Sequence, residues 1–210
     1  MRISLGLAIG ACTVALLAAV DSARATNGAW FLTLESAVGR STLTYGTARH
    51  PFTLDSITVF RHSIASGRSF GDHMAGAVEV SWVQRGATDP VLTIFRPEGH
   101  GRSVSFERTY LDVGFPVSCR LRRARAFLAV GLSPRLSFLV GTKSSSLQAK
   151  YDKGPLVGVD PYITVGYRAV HVTTRYLFDL VQAHETSYSP SRLRIADKVF
   201  FIGLGCDIAL

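Results

Sequence analysis

The residues of this sequence that could perform chemistry are histidines with a serine or glutamate nearby. The candidates are His62, Ser63, Ser66, His100, His184 and Glu185. A serine activated by a histidine base could cleave or transfer an ester. His62 and Ser63 are consecutive, however, and consecutive side chains of a strand point to opposite faces, which disfavours a nucleophile–base pair. We predict that the chain is not an enzyme.

Metal ligation is the second chemistry to consider. The chain has six histidines, at His50, His62, His73, His100, His171 and His184. None lies two or four residues from another, and none has a cysteine beside it, so the spacing lacks the usual pattern of a metal site. His50, His100 and His184 fall in three different long connections, where a shared site is conceivable, but solvated loop histidines are the simpler interpretation. We predict no metal and no cofactor.

The elements that would position such residues are strands, and the clearest is at the C-terminal end of the sequence. From Asp197 to Leu210 one face carries the apolar row Phe200, Ile202, Leu204, Cys206, Ile208 and Leu210. The opposite face becomes small or charged from Gly203 onward. Such a period-2 division is typical of a strand with lipid on one side and a crowded or wet interior on the other.

The same alternation, bounded by Gly, Pro, Ser, Asn and Asp clusters, predicts eight strands. They cover residues 29–42, 56–66, 73–85, 104–118, 126–140, 156–168, 170–181 and 198–210. Most exceed the usual five or six residues of a globular strand and suit a tilted bilayer crossing. The second strand alternates least clearly.

The connections alternate between short and long. The short ones lie at residues 67–72, 120–125 and 169, and the long ones at 43–55, 86–103, 141–155 and 182–197. In an eight-stranded meander with both termini on one side, all long connections fall on the other side. Short periplasmic turns and long outer loops characterise outer-membrane barrels. The pattern predicts an all-β fold, an eight-stranded antiparallel up-and-down transmembrane β-barrel.

The N-terminal segment predicts export. Met1 and Arg2 precede an uncharged run from Ile3 to Val20, and a small-residue site ends at Ala25. We interpret residues 1–25 as a cleaved signal peptide and 26–210 as one barrel domain; an uncleaved membrane anchor is the alternative. The chain is basic, with a formal net charge of +8. No helix, finger or stacking motif presents the charges to nucleic acid, so anionic lipid is the more plausible partner.

The two faces of the predicted strands differ throughout. One face is almost free of charge and includes Trp30, Trp82, Tyr167 and Tyr176, which suit an interfacial aromatic girdle. The other carries Glu35, Glu79, Arg85, Arg108, Asp112, Arg135, Asp160, Arg168, Arg175, Asp179 and Asp207. Charges of both signs in a crowded interior need partners. We therefore predict an internal ion-pair network, with Tyr110 and Tyr162, that fills the barrel.

Two interpretations of these faces remain open. A soluble lipocalin-like barrel would turn the apolar face inward. The interior of a small barrel, however, could hardly hold so many large residues, which favours lipid outside. Cys119 and Cys206 fall on the apolar face and are interpreted as free hydrophobic thiols.

Four segments resemble the PorT-like family of small eight-stranded outer-membrane barrels, common in the Bacteroidetes group. They are residues 78–86 (VEVSWVQRG), 110–117 (YLDVGFPV), 129–136 (AVGLSPRL) and 174–180 (TRYLFDL). In the second segment Asp112 stands where the family has Glu, and the chain ends in Leu210 where the family usually has Phe. The resemblance implies an integral outer-membrane protein of structural or surface-interaction role, and no catalytic residue.

The predicted partners follow from that location. They are outer-membrane lipids and lipopolysaccharide, periplasmic chaperones and the barrel-insertion machinery during biogenesis, and a surface ligand that the outer loops could bind. Arg120, Arg122, Arg123 and Arg125 form a basic turn predicted to face the periplasmic leaflet. The alternative functions are a lipid A-modifying enzyme, a narrow porin-like channel and a soluble periplasmic lipid carrier.

Overall fold

The computed structural model describes residues 29–47, 50–53, 55–89, 104–144, 155–180, 183–185 and 193–210. The predicted signal peptide, His100 and most of the long connections lie outside these residues. The described strands are β1 (Trp30–Thr47), β2 (His50–Thr53), β3 (Asp55–Phe70), β4 (Met74–Asp89), β5 (Val104–Gly114), β6 (Val117–Arg123), β7 (Ala126–Ser144), β8 (Leu156–Tyr167), β9 (Val170–Asp179), β10 (Ala183–Glu185) and β11 (Leu193–Ala209). Among these residues no helix is long and apolar enough to cross a membrane.

The strands form one antiparallel sheet that closes on itself. Neighbours follow the chain from β1 through β3, β4, β5, β7, β8 and β9 to β11. The sheet closes because β11 also pairs with β1, in a ladder from Phe31 opposite Ala209 to Gly46 opposite Arg194. The predicted eight-stranded up-and-down barrel is confirmed. Closure pairs each of β1, β3, β4, β5, β7, β8, β9 and β11 on both sides, whereas β2 and β10 each pair with one strand.

The count of eight follows from grouping the shorter strands. Both β5 and β6 pair with β4 and β7, so together they form one crossing of the barrel. The crossing is interrupted at Phe115 and Pro116, because the proline has no N–H to donate. At the end of the barrel from which the long connections start, β2 continues β3 along β1, and β10 continues β9 along β11. We call this end of the barrel the loop end.

The opposite end, here the turn end, carries three tight turns, at residues 71–73, 124–125 and 168–169. In each, one residue takes the left-handed conformation: Gly71 with φ 65°, Ala124 with φ 54° and Arg168 with φ 57°. Arg168 was predicted to face the interior, and that prediction is wrong. The tight turn rotates it out of the strand alternation, and its side chain is exposed.

Ala124 offers a test of the turn geometry. A left-handed backbone strains an alanine but not a glycine. Ala124→Gly is therefore expected to raise the free energy of unfolding by about 0.5–1 kcal/mol, measured by urea titration in lipid vesicles. Ala169→Gly, in a turn position without a positive φ, is the control and should give no gain. Equal effects of the two substitutions would contradict the strain argument.

Buried and exposed side chains alternate along the strands of the closed barrel. Along β3 the buried residues Val59, Arg61 and Ala65 alternate with the exposed Phe60, His62 and Ile64. The outward face of the barrel carries an apolar belt of exposed side chains. It includes Val38, Phe60, Ile64, Val80, Trp82, Phe115, Val130, Leu132, Ile163, Val172, Phe178, Phe200 and Ile202. The apolar face is thus outside.

Candidate functional site: the interior ion-pair network

The barrel interior contains a set of paired charged side chains, which we call the interior network. Its guanidinium groups belong to Arg61, Arg85, Arg108, Arg135 and Arg175, and its carboxylates to Glu35, Glu79, Asp112, Asp160, Asp179 and Asp197. All these side chains are nearly inaccessible to solvent. Buried charges are tolerated only when paired and hydrogen-bonded.

Glu79 is the centre of one cluster. Arg61 donates to its Oε1 at 2.5 Å through Nη2 and to Glu35 at 2.7 Å through Nη1. Arg175 donates to both oxygens of Glu79, at 3.1 Å each. The Glu79 carboxylate therefore compensates two guanidinium groups. Its contact with Arg175 is the bidentate arrangement that arginine favours.

A second cluster surrounds Arg135 and Arg85. Arg135 donates through Nε to Asp160 at 2.6 Å and through Nη2 to Asp179 at 2.5 Å. Arg85 donates to Asp112 at 2.8 Å and lies 3.2 Å from the same Asp179. Asp179 thus links the two arginines. Arg175 Nη1 lies 4.0 Å from Asp160, which joins this cluster to the first.

Hydroxyl and aromatic groups complete the coordination. Both Arg85 and Arg135 donate to the Ser137 hydroxyl oxygen. The Arg85 guanidinium carbon lies 4.4 Å from the centre of the Tyr110 ring, and that of Arg175 lies 5.0 Å from the Tyr162 ring. Such stacking favours a desolvated cation.

Several ion pairs cross the full diameter of the barrel. In the ring of eight crossings, β4 lies opposite β9, and β5 lies opposite β11. Arg85 and Glu79 of β4 bind Asp179 and Arg175 of β9, respectively. Arg108 of β5 binds Asp197 of β11. Side chains from facing walls therefore meet near the axis of the barrel.

Small residues make room for these side chains. A Cβ added at Gly158 would lie 2.8 Å from the Arg135 guanidinium carbon. One added at Gly203 would lie 3.1 Å from Glu35 Cγ. One part of the interior is apolar: Ala37, Val59, Val83, Leu177, Val199 and Phe201 form a buried cluster on the side of β1, β3, β4, β9 and β11.

A small cavity lies between the interior network and the turn end. Its volume is about 60 Å³, and its polar lining includes Thr33, Tyr162, His171 and Asp207. His171 is 4% exposed, and its Nδ1 lies 3.8 Å from an Asp207 oxygen, beyond hydrogen-bond range. A polar cavity of this size has room for water, which could satisfy the imidazole nitrogen.

The remaining charged residues of the sequence prediction lie apart from the network. Asp207 accepts a hydrogen bond from Thr33 at 2.6 Å and lies 3.8 Å from Arg120. Arg120 was predicted to face lipid headgroups, and the structure places it half-buried in the mouth of the barrel, 5.0 Å from the Phe31 ring. The physical reason is that residues two apart in a strand share a face, and Arg120 is two residues from the buried Ser118.

Two members of the network were not predicted from the sequence. Arg61 lies in the strand with the weakest alternation, although it shares parity with Val59 and Ala65. Asp197 lies at the boundary assigned to a loop, yet it shares parity with the buried Val199 and Phe201. In both cases the signal available in the sequence was that the residue lies an even number of positions from inward-facing residues of the same strand, and therefore on the same face.

His62 and Ser63, the adjacent pair among the candidate catalytic residues, are separated by the barrel wall, whereas Ser66 is exposed on the same outer face as His62. The His62 side chain is exposed on the outer face, with Nδ1 3.1 Å from the Ser36 hydroxyl. The Ser63 hydroxyl faces inward and accepts from Arg61 at 3.2 Å. Within the described residues, no three His, Cys, Asp or Glu side chains are grouped as metal ligands would be, and Cys119 and Cys206 are free thiols.

Comparison with known proteins identifies the fold. No family model matches the chain, and no curated protein matches it. A similar solved structure is the outer membrane protein OprG from Pseudomonas aeruginosa, with a TM-score of 0.55 at 10% identity over 88% of this chain and 97% of that one. Neisserial surface protein A gives 0.40 at 11% over 84% and 96%, and Ail of Yersinia pestis 0.39 at 10% over 87% and 100%. The likeness to OprG shows a shared fold, whereas the resemblance to the PorT-like family stays a prediction.

Proposed function

We propose that this chain is a small integral β-barrel protein of the bacterial outer membrane, with a closed lumen and a structural or surface-interaction role rather than a catalytic one. The observation that carries the proposal is the apolar belt on the outer face. Leu132, for example, is 54% exposed, and Val130 and Ile163 are 52% and 49% exposed. Soluble monomers rarely expose contiguous apolar surface on this scale, whereas acyl chains would cover it.

The interior supports the closed lumen. An eight-stranded barrel has an interior that side chains can fill, and here ion pairs meet across its diameter. This arrangement favours a structural barrel over a channel or a carrier with an apolar cavity. The expected surface ligand would bind the outer loops, most of which lie outside the described residues.

A heat-modifiable gel shift tests the location and the closed barrel together. Protein extracted from the membrane fraction should migrate faster in sodium dodecyl sulfate before boiling than after it, because a closed barrel resists the detergent. Release of the protein into the soluble fraction without detergent would favour the carrier. Esterase and acyltransferase assays, with His62, Ser63, His100 and His184 replaced, test the enzyme alternative.

Conductance tests the closed lumen. Arg85 is 0% exposed and bridges Asp112 of β5 to Asp179 on the opposite wall. Arg85→Ala removes this bridge and leaves two carboxylates facing an emptied space, so ion leakage across planar bilayers should rise above that of the unaltered protein. The exposed Arg40→Ala is the matched control and should leak no more than the original. Stable open channels in the unaltered protein would contradict the proposal.

A further inference from the structure

The turn end of the barrel carries a group of exposed arginines, which we call the basic rim. Its members are Arg68, Arg122, Arg123, Arg125 and Arg168. They come from β3, from the β6–β7 hairpin and from the β8–β9 turn, and are therefore spread around more than half of the ring. Among the described residues of the three turns, the exposed acidic side chain is Asp72. The turn end is thus strongly positive.

The basic rim directly borders apolar outward side chains. Arg68 pairs in register with Trp30 and shares the outward face of β3 with the exposed Phe70. On the hairpin, Leu121 is 60% exposed and lies two residues from Arg123 on the same face. The guanidinium carbon of Arg168 lies 5.9 Å from the Tyr167 ring. Long cationic side chains at such a boundary extend from the apolar layer to the headgroups.

We propose that the basic rim binds the phosphates of an anionic glycerophospholipid, of the phosphatidylglycerol class, in the leaflet around the turn end. Arginine forms bidentate hydrogen bonds with phosphate oxygens, and neighbouring arginines attract an anionic surface over about a Debye length. The adjacent aromatic side chains hold this boundary at the headgroup level. The inference rests on the proposed membrane location and adds a lipid preference to it.

Fluorescence of a single tryptophan tests the preference. The chain has two tryptophans, so Trp30→Phe/Trp82→Phe/Leu121→Trp places one reporter on the β6–β7 hairpin, two residues from Arg123 on the same outward face. The variant is reconstituted in phosphatidylcholine vesicles that contain equal fractions of brominated phosphatidylcholine or brominated phosphatidylglycerol. We expect the relative affinity near the reporter to favour phosphatidylglycerol about fivefold at low salt, the effect of about one favourable arginine contact, and to decline with added salt.

The charge requirement has a matched control. In the single-tryptophan background, R122Q/R123Q/R125Q should reduce the preference to less than about twofold, because it removes three rim charges next to the reporter. R40Q/K143Q/K198Q removes three exposed charges from other positions nearer the loop end and should leave the preference unchanged. Heat-modifiable gel shifts verify that each variant is folded.

The outcomes separate the two proposals. If brominated phosphatidylcholine does not quench the reporter at all, the barrel is not in the bilayer and the proposed function fails. If both brominated lipids quench equally, or if R122Q/R123Q/R125Q keeps the full preference, the barrel stands and the lipid preference is overturned. Loss of the preference in millimolar inorganic phosphate, where sodium chloride of the same ionic strength leaves it intact, would also overturn it, because the rim would then bind free phosphate rather than a lipid surface.

Discussion

Glu79→Gln is expected to lower the free energy of unfolding by about 3–5 kcal/mol. The carboxylate of Glu79 accepts hydrogen bonds from both Arg61 and Arg175 inside the barrel. Glutamine keeps the shape but loses the charge, and its amide group would direct N–H donors at a guanidinium. Two buried cations would then remain undercompensated, which costs more than an ordinary lost hydrogen bond. Urea titration in lipid vesicles measures the change.

The control for this prediction is Glu107→Gln on β5, where the side chain is exposed and the change should stay within about 0.5 kcal/mol. If Glu79→Gln fails to fold, Glu79→Asp, which keeps the charge, should recover part of the heat-modifiable band. A loss of less than about 1 kcal/mol for Glu79→Gln would mean that the interior network contributes little to stability.

Leu132→Arg is expected to destabilise the protein by about 2–4 kcal/mol in vesicles. Leu132 lies on the outward face of β7, six residues from the start of that strand at Ala126. A rise of about 3.3 Å per residue along a tilted strand puts it near the middle of the apolar belt. A charge at that depth must be desolvated or must thin the bilayer around it. The same unfolding measurement in vesicles reports the loss.

Leu121→Arg is the matched control, because Leu121 is exposed to a similar degree but lies beside the turn end. There the cost should be only about 0–1 kcal/mol. The comparison separates the membrane barrel from a soluble one, since an arginine on the water-exposed surface of a soluble barrel would be nearly neutral at both positions. Equal effects at Leu132 and Leu121 would contradict lipid contact.

The sequence predicted the strands well where each face had a distinct environment. Alternation identified all eight crossings, and the apolar face lies outside as expected. The strands extend further toward the loop end than predicted, to Thr47 in β1, Asp89 in β4 and Ser144 in β7. In those extensions the alternation of apolar and polar residues fades, so the pattern no longer marks a strand although the backbone ladder continues.

The partners within the interior network could not be read from the sequence. Parity indicates that Arg85 and Asp179 both face inward, but their meeting depends on strand stagger and on closure between β1 and β11. Local backbone geometry is a second limit. Arg168 follows the inward parity of Gly166, yet its left-handed turn conformation removes it from the strand.

The seam between β1 and β11 constrains how the barrel can be assembled. These two strands are the first and last of the cylinder, and they share a ladder that runs almost the full length of β1. Until all the crossings between them are in place, each has a long unpaired backbone edge, which is a template for aggregation. Nascent chains would therefore have to be shielded through a late, all-or-none joining step, in which the two ends of the sheet pair although their partners are 148 (Gly46 to Arg194) to 178 (Phe31 to Ala209) residues apart in sequence.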